Sequence, residues 1–470
     1  MAGTNWVIEV NEKLESIDNY VEAERWKQRS IYKVPACVTD LNKKAYRPQA
    51  VSFGPYHHGE DHLKPMEEHK HRALLHFLKR SNKPIQLFVD SLSEVVQLLK
   101  DSYDPLDSYW QQDTSRFLQL MILDGCFLLE ILRIATDQSL DDYAPNDPVF
   151  SNHGKLYIMP YIMRDMLMLQ NQLPMLVLDK LVAVESGKEK DEEFVNKLIL
   201  KFCFPDAPVS SLGKCLHPLD VYRKSLLQKQ VGREKRRILR SRRQKGGNNI
   251  IRSATELNEA GIRFKKSKTR SLKDISFRGG VLRLPVIVVD DATESIFLNL
   301  MAFERFHVGA GNEVTSFIFF MDNIIDSERD VALLHSRGII QNAVGSDKAV
   351  AKLFNSLSKD ITLDPNSSLD FVHKKVNAYC RKAWNEWRAN LIHTYFRNPW
   401  AILSLIAAVF LFALTIVQTV YTIYPIYHSS ESPSPPMVSV TPSPPIVSAA
   451  PSPAAPPLPF PKPPLPQLRH

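Results

Sequence analysis

Thr114-Ser115-Arg116-Phe117-Leu118-Gln119-Leu120-Met121-Ile122-Leu123-Asp124-Gly125-Cys126-Phe127-Leu128-Leu129-Glu130-Ile131-Leu132-Arg133-Ile134-Ala135-Thr136 is apolar on nearly every face of a helix. A helix that is apolar all round either crosses a membrane or is buried at the centre of a bundle. Asp124, Glu130 and Arg133 decide between the two, because a charged side chain at mid-bilayer is costly. The stretch therefore reads as the central helix of a large helical body, and the fold class that follows is mainly α (α+β).

Helical patterns surround it at about 84–102, 158–185, 191–203 and 217–230, and resume at about 252–261, 293–306, 313–325, 327–343, 346–358 and 368–397. A further helix begins at Pro65, a residue preorganised for the first helical position. Its first turn carries Glu67 and Glu68 and its last carries Lys79 and Arg80, matching the helix dipole at both ends. Leu74, Leu75 and Leu78 supply its expected buried stripe. Pro174 predicts a kink or split in the 158–185 pattern. Between Ile31 and Gly59, Pro35, Pro48, Gly54 and Pro55 punctuate short apolar pieces, which reads as loop and extended backbone. Ile262–Lys266, Leu272–Phe277 and Val281–Val289 read as strands, the last two joined at Arg278-Gly279-Gly280, giving a small antiparallel β-meander. No internal repeat is present.

From Trp400 to Tyr424 there is no Asp, Glu, Lys, Arg or His. About 25 residues of helix at 1.5 Å each exceed the ~30 Å hydrocarbon core of a bilayer. Trp400, Tyr421 and Tyr424 sit near the ends, where interfacial aromatics belong, and Asn398-Pro399 marks a break before the span. Arg381, Lys382, Arg388 and Arg397 precede it, whereas Glu431 is the first charge beyond. Basic flanks stay in the cytoplasm, so the expected topology is a cytosolic N-terminal body, one pass through a plasma or endomembrane bilayer via 400–424, and a tail on the far side.

The 470 residues, 44% of them apolar, suffice for a large core. The expected organisation is an acidic amphipathic leader at 1–30, a helical body at 31–397, the span at 398–425 and a tail at 426–470. A basic run at 232–249 forms an internal boundary. The N-terminus shows no basic-then-apolar signal peptide. Cys37, Cys126, Cys203, Cys215 and Cys380 are odd in number and lack any Cys-x-x-Cys pair, which fits a reducing compartment. The tail, with Ser434-Pro435-Pro436 and Thr441-Pro442-Ser443-Pro444-Pro445, is Pro/Ser-rich and biased toward polyproline II and disorder.

Several blocks carry a family likeness: Ile31-Tyr32-Lys33-Val34-Pro35, Val51-Ser52-Phe53-Gly54-Pro55-Tyr56-His57-His58-Gly59, Met66-Glu67-Glu68-His69-Lys70, Asp124–Glu130, Asp165–Pro174 and Ser253–Gly261. Together they resemble the plant DUF247 (UPF0481) family of uncharacterised single-pass membrane proteins, over about residues 30–425. The Pro-rich extension departs from that pattern. The resemblance implies a mostly helical, single-pass plant protein and no established activity. Genetic links of some members to pollen self-recognition belong to those members.

Six of the fourteen histidines (His57, His58, His62, His69, His71 and His76) crowd into 20 residues. No His-Glu-x-x-His is present, and His69, His71 and His76 do not share a helical face, so no metal is assigned. Phe53-Gly54-Pro55-Tyr56 reads as a structural turn anchored by two aromatics. Asp124 and Asp165, if they met between helices, would have one carboxyl raised and open to acid–base work. The alternative is that helix-start amides or an arginine such as Arg133 or Arg164 satisfies them. Asp290-Asp291-Ala292-Thr293-Glu294 follows a strand and predicts a helix cap. No P-loop, Gly-x-Ser-x-Gly elbow or dinucleotide loop appears, so no catalytic residue or cofactor is assigned.

Arg233, Lys235, Arg236, Arg237, Arg240, Arg242, Arg243 and Lys245 form the densest charge feature. A solvated loop, contact with anionic lipid, and nuclear import or nucleic-acid binding all stay open for it, with the span arguing against nucleic acid. The leading functional reading is a membrane-anchored protein-interaction or signalling module. The alternatives are an enzyme with a helical-bundle site near Asp124 and Asp165, and an outward-facing, receptor-like recognition protein of the self-incompatibility type.

Overall fold

The computed structural model describes residues 2–15, 18–40, 42–136, 142–189, 191–205, 211–228, 252–359, 369–391 and 399–428. The basic run and nearly all of the Pro-rich tail lie outside the described residues. The chain is mainly helical with a small strand component, and divides into two units, 1–397 and 398–470.

The central helix of the first unit runs Thr114–Ala135 and starts where the Asp113 side chain accepts the Arg116 N–H at 2.9 Å. From Phe117 to Ile134 every residue except Gln119 is buried. Each Leu, Ile or Phe so enclosed is worth roughly 1.5–3 kcal/mol of transfer free energy. The helices Lys64–Ser81, Ile85–Ser93, Ser108–Gln112, Met175–Ser186 and Glu193–Cys203 surround it. Gly125 sets the approach of one of them: a Cβ there would lie 2.5 Å from Leu181 Cδ1 and 3.1 Å from Val177 Cγ1.

The Lys64–Ser81 helix has the expected ends but a different inner face. Lys70, Ala73 and Phe77 are its buried residues, at spacing i, i+3, i+7, whereas Leu75 is 66% exposed and Leu74 and Leu78 are half-buried. The stripe is rotated because Lys70 finds a carboxylate inside the bundle. Elsewhere, long patterns resolve into shorter pieces. The 84–102 pattern is two helices, Ile85–Ser93 and Val96–Asp101, and the 158–185 pattern is split into Met159–Met166 and Met175–Ser186 ahead of Met175 by Pro174. The 368–397 pattern contains Asp370–Cys380 and Ala383–Leu391.

The strands do not form an antiparallel meander. β1 (Arg263–Lys266), β2 (Ser276–Arg278) and β3 (Val281–Leu284) make one mixed sheet in the order β1-β3-β2, with β1 parallel to β3 and β2 antiparallel to it. Gly279 and Gly280, both at positive φ (57° and 73°), supply the two-residue turn between β2 and β3. Pro285 follows β3 and has no N–H to continue the ladder. The expected strand 281–289 therefore breaks, and β4 (Ile287–Val289) joins a second sheet. Its parallel partner is β5 (Ile340–Asn342), which lies in the stretch expected to continue a helix. That helix, Glu328–Ser336, ends before Gly338, and the β-branched pair Ile339-Ile340 leads into the sheet.

Residues 30–40 and 42–56 run as a belt between the two halves of this unit. Ile31 bridges to Tyr103, and the Tyr32 hydroxyl lies 3.1 Å from His307 Nδ1. The Ala45 carbonyl accepts from Ser295 Oγ and Asn299 Nδ2 at 2.7 and 2.8 Å. Helices Thr293–Phe306, Glu313–Ile324 and Asp347–Leu357 form the core of the second half.

In the second unit one helix runs Pro399–His428, and its stretch Leu403–Tyr424, 22 residues, is long and apolar enough to cross a membrane, with none of it buried. Thr415, Thr419 and Thr422 return their hydroxyl protons to carbonyls four residues earlier, which leaves no side-chain donor unsatisfied at those positions.

The close approach at Gly125 is testable. Gly125→Val inserts a branched side chain against Val177 and Leu181, and should lower unfolding free energy by about 1–3 kcal/mol, read by thermal or denaturant melts. A variant as stable as the wild type would show that this contact is loose.

Candidate functional site

The segment Gln49-Ala50-Val51-Ser52-Phe53-Gly54 has no regular secondary structure, yet from Val51 to Gly54 it is buried. Such backbone must find hydrogen-bond partners or forfeit the free energy of its lost hydration. Five of its six N–H groups are answered by three side chains. Asp165 accepts from Gln49, Ala50 and Val51, at 2.9, 2.6 and 3.1 Å to Oδ2. Asn171 Oδ1 accepts from Phe53 at 2.7 Å, and Asp124 Oδ2 accepts from Gly54 at 2.8 Å. The same Asn171 donates through Nδ2 to the Val51 carbonyl at 3.0 Å.

Lys70 completes the clasp. Its wholly buried ammonium donates to Asp124 Oδ1 and the Ser52 carbonyl, both at 2.7 Å, and lies 2.7 Å from Glu67 Oε1. All three ammonium protons thus have acceptors. Burial pushes the Asp124 carboxyl above its ordinary value, against the pull of Lys70 and the Gly54 N–H. Burial likewise raises Asp165 to about 6, opposed by the three backbone donors. No hydrogen bond joins the two carboxylates among the described residues, and each is occupied by a different end of the segment. Neither Arg133 nor Arg164 supplies their partner: Arg133 pairs with Glu130 and Glu185, and Arg164 donates to Gln49 Oε1 and the Lys44 carbonyl.

Gly54 sits at φ 72°, and a Cβ would lie 2.8 Å from both the Gln172 carbonyl and the Tyr103 hydroxyl. Phe53 packs its ring 6.2 Å from Phe127, and Tyr56 meets Tyr103 edge-on at 5.7 Å while donating to the Asp104 carbonyl. The turn is anchored by its aromatics, as its composition suggested. Its neighbour Gln172 accepts the Leu219 N–H and donates to the Met168 carbonyl, which fixes the loop ahead of Pro174.

A second buried group is His217, at the start of the Pro218–Leu227 helix. Its Nδ1 accepts the Asp220 N–H and its Nε2 lies 3.2 Å from the Ser30 carbonyl, so the neutral ring with its proton on Nε2 satisfies both. Burial lowers its pKa to about 4. On the same helix Arg223 bonds Glu304 at 2.9 Å and Glu313 at 3.1 Å, and reaches the Ala310 carbonyl. Glu304 in turn accepts the Val314 and Thr315 N–H groups.

The histidine cluster disperses. His57 Nδ1 lies 2.6 Å from Glu60, His62 Nε2 lies 2.9 Å from the Pro48 carbonyl, His58 meets Trp110 edge-on, and His76 stacks on Tyr143 at 4.1 Å. Among the described residues no group of three or more His, Cys, Asp or Glu is placed to hold a metal ion. Asp290 closes its turn by accepting the Ala292 N–H and the Thr293 hydroxyl, but the capping residue itself is Ala292, which has no side-chain acceptor. An open cleft of about 850 Å³ beside the clasp is lined by Arg47, His57, Glu60 and His62, and Arg47 and Glu60 pair across it at 2.9 Å. The expected site residues Arg233–Lys245 lie outside the described residues.

Four of the blocks that carry the family likeness thus meet in one physical object: the buried segment at 51–54, and the side chains at 70, 124, 165 and 171 that answer its backbone. A family model described as a plant protein of unknown function, DUF247, matches residues 31–414. The chain belongs to that family. A UPF0481 protein of Arabidopsis thaliana is 32% identical over 424 residues, covering 84% of this chain and 86% of its own. A second UPF0481 protein of the same plant is 24% identical over 513 residues, covering 88% and 94%. No solved structure matches.

Removing one partner of a buried ion pair strands the other, at about 3–5 kcal/mol. Asp124→Asn and Lys70→Met should each cost that much, and the double variant Lys70→Met/Asp124→Asn should recover at least about 1 kcal/mol relative to additivity. Additive losses in denaturant melts would show that the two act independently.

His217 predicts an acid limb. A base whose folded pKa is lowered binds its proton more readily when unfolded, so stability is intact above about 6.5 and falls as pH drops toward 4. The loss is about 3 kcal/mol in that window. The stability gap between the wild type and His217→Gln should therefore shrink by that amount from pH 7 to pH 4, measured by urea titration at each pH. A constant gap would overturn the assignment.

Proposed function

We propose that this protein is a membrane-anchored interaction module, with its helical body in the cytosol and a short tail across the bilayer. The observation that carries this reading is the stretch Leu403–Tyr424. Its 22 residues give about 33 Å of helix, and none of it is buried, whereas a core helix of that composition would be enclosed. The four basic residues before it, Arg381, Lys382, Arg388 and Arg397, against none close after it, where Glu431 is the first charge, support a cytosolic body.

The interior supports a scaffold rather than a reaction centre. Asp124 and Asp165, the pair that an acid–base mechanism would need, hold the backbone of the belt, and Glu304 holds Arg223 and a helix start. Work on other molecules then falls to the surface, and protein partners are the class this suits. Anionic lipid is the further partner proposed for the basic run Arg233–Lys245, at about 1 kcal/mol per basic residue close to the surface.

Sealed vesicles test the anchoring and the orientation together. The chain should stay with the membranes through alkaline carbonate, and added protease should digest the body while sparing a tag on the C-terminus. Neutralising Arg381, Lys382, Arg388 and Arg397 to Gln should give a mixture of both orientations. A body shielded inside intact vesicles would reverse the topology, and release by carbonate would remove the anchor.

A further inference from the structure

The helix Ala383–Leu391 presents two unlike faces. On one, Asn385 is buried and donates through Nδ2 to the Tyr379 carbonyl at 2.8 Å. The helix rests there on the Asp370–Cys380 and Ala254–Glu259 helices, and the Arg388 guanidinium reaches over Gly261, where a Cβ would lie 3.0 Å from Nη1. On the other, Trp384 and Trp387 stand 70% and 58% exposed, their rings 5.5 Å apart. Two neighbouring tryptophans left this open on a helix docked to a folded body form a contiguous aromatic patch, the kind of surface that marks an interaction site.

The charge around them is one-sided. Arg381 and Lys382, both exposed, precede the helix, and Lys375 holds its ammonium 4.2 Å over the ring of Phe371, itself 55% exposed. Across 369–391 the sequence has Lys374, Lys375, Arg381, Lys382 and Arg388 against Asp370 and Glu386. In sequence, the apolar helix begins at Pro399, eight residues after Leu391. Tryptophan is enriched at the headgroup level of bilayers, and cations immediately cytoplasmic of a span are attracted to anionic lipid. Exposed tryptophan and cations close in sequence before a span are the combination that a bilayer interface selects.

We infer that this face is a second, interfacial membrane contact. Trp384 and Trp387 enter the boundary between headgroups and acyl chains, and Arg381 and Lys382 meet anionic phospholipid headgroups. The contact rests on the anchoring proposed above and adds what a lone span lacks, a constraint on how the body is held at the surface.

The test uses the full chain in nanodiscs of phosphatidylcholine, with and without 30% phosphatidylserine as the probe lipid (roughly the proportion that gives a strongly negative surface). Lipids brominated high on the acyl chain report tryptophan depth. The emission that disappears in Trp384→Phe/Trp387→Phe should be quenched by at least about half in phosphatidylserine discs. That quenching should weaken in Arg381→Gln/Lys382→Gln, which leaves Arg388 in place. If the same emission is quenched instead by aqueous acrylamide and ignores brominated lipid, the face does not touch the bilayer and serves something else. Should the chain fail to enter discs at all, the anchoring reading fails, and this contact with it.

Discussion

A buried stretch of irregular backbone is the constraint on which the rest of this fold depends. Helices and sheets satisfy their own N–H and C=O groups; the belt at 49–54 does not. Once Phe53 and Val51 are taken into the bundle, the peptide groups between them must be answered by side chains, and those side chains must themselves be buried. This is why carboxylates and a lysine sit inside an otherwise apolar core, at Asp124, Asp165 and Lys70. Lys70 compensates Asp124, backbone N–H groups answer Asp165, and hydrogen bonds to charged groups contribute about 1.5–3 kcal/mol each.

The two halves of the body are joined by the same kind of bond. The Ala45 carbonyl is held by Ser295 and Asn299, the Leu169 N–H by Asn299 Oδ1, and Arg223 by Glu304. Each ties a group of one half, a carbonyl, a loop N–H or the Arg223 guanidinium, to the Thr293–Phe306 helix of the other. Apolar contact between the halves is non-directional, whereas these bonds set a register. The helix is thus placed along its axis as well as against its neighbours.

Much of this was legible before the structure. The central helix is readable because three charges in an apolar run exclude a span, and Pro174 marks the break in the separate 158–185 pattern. The role of Phe53-Gly54-Pro55-Tyr56 followed from what glycine and aromatics do at a close approach. Lys70 is not legible by type, because a lysine on a helix counts as solvent-facing; its place on the Ala73–Phe77 line is the available signal. The sheet departs from the meander because Pro285 ends β3, Ile339-Ile340 leads into a strand, and β1 pairs parallel with β3 past the intervening β2. The parallel pairing of β4 with β5 joins residues more than fifty apart, which no local pattern encodes.

The clasp also dictates an order of events during synthesis. Residues 49–54 emerge early, but Asp165 and Asn171, which take four of their N–H groups, lie 114–118 positions later. Until then Phe53 and its neighbours have no seat, and an apolar segment with unanswered amides must wait in the open. Chains of this size fold through such incomplete species, and exposed surface of that kind invites aggregation. The nascent protein is therefore most vulnerable over the interval in which its first third is made and its clasp is not. Any factor that holds residues 30–60 in that interval acts on the yield of folded protein without touching its final stability.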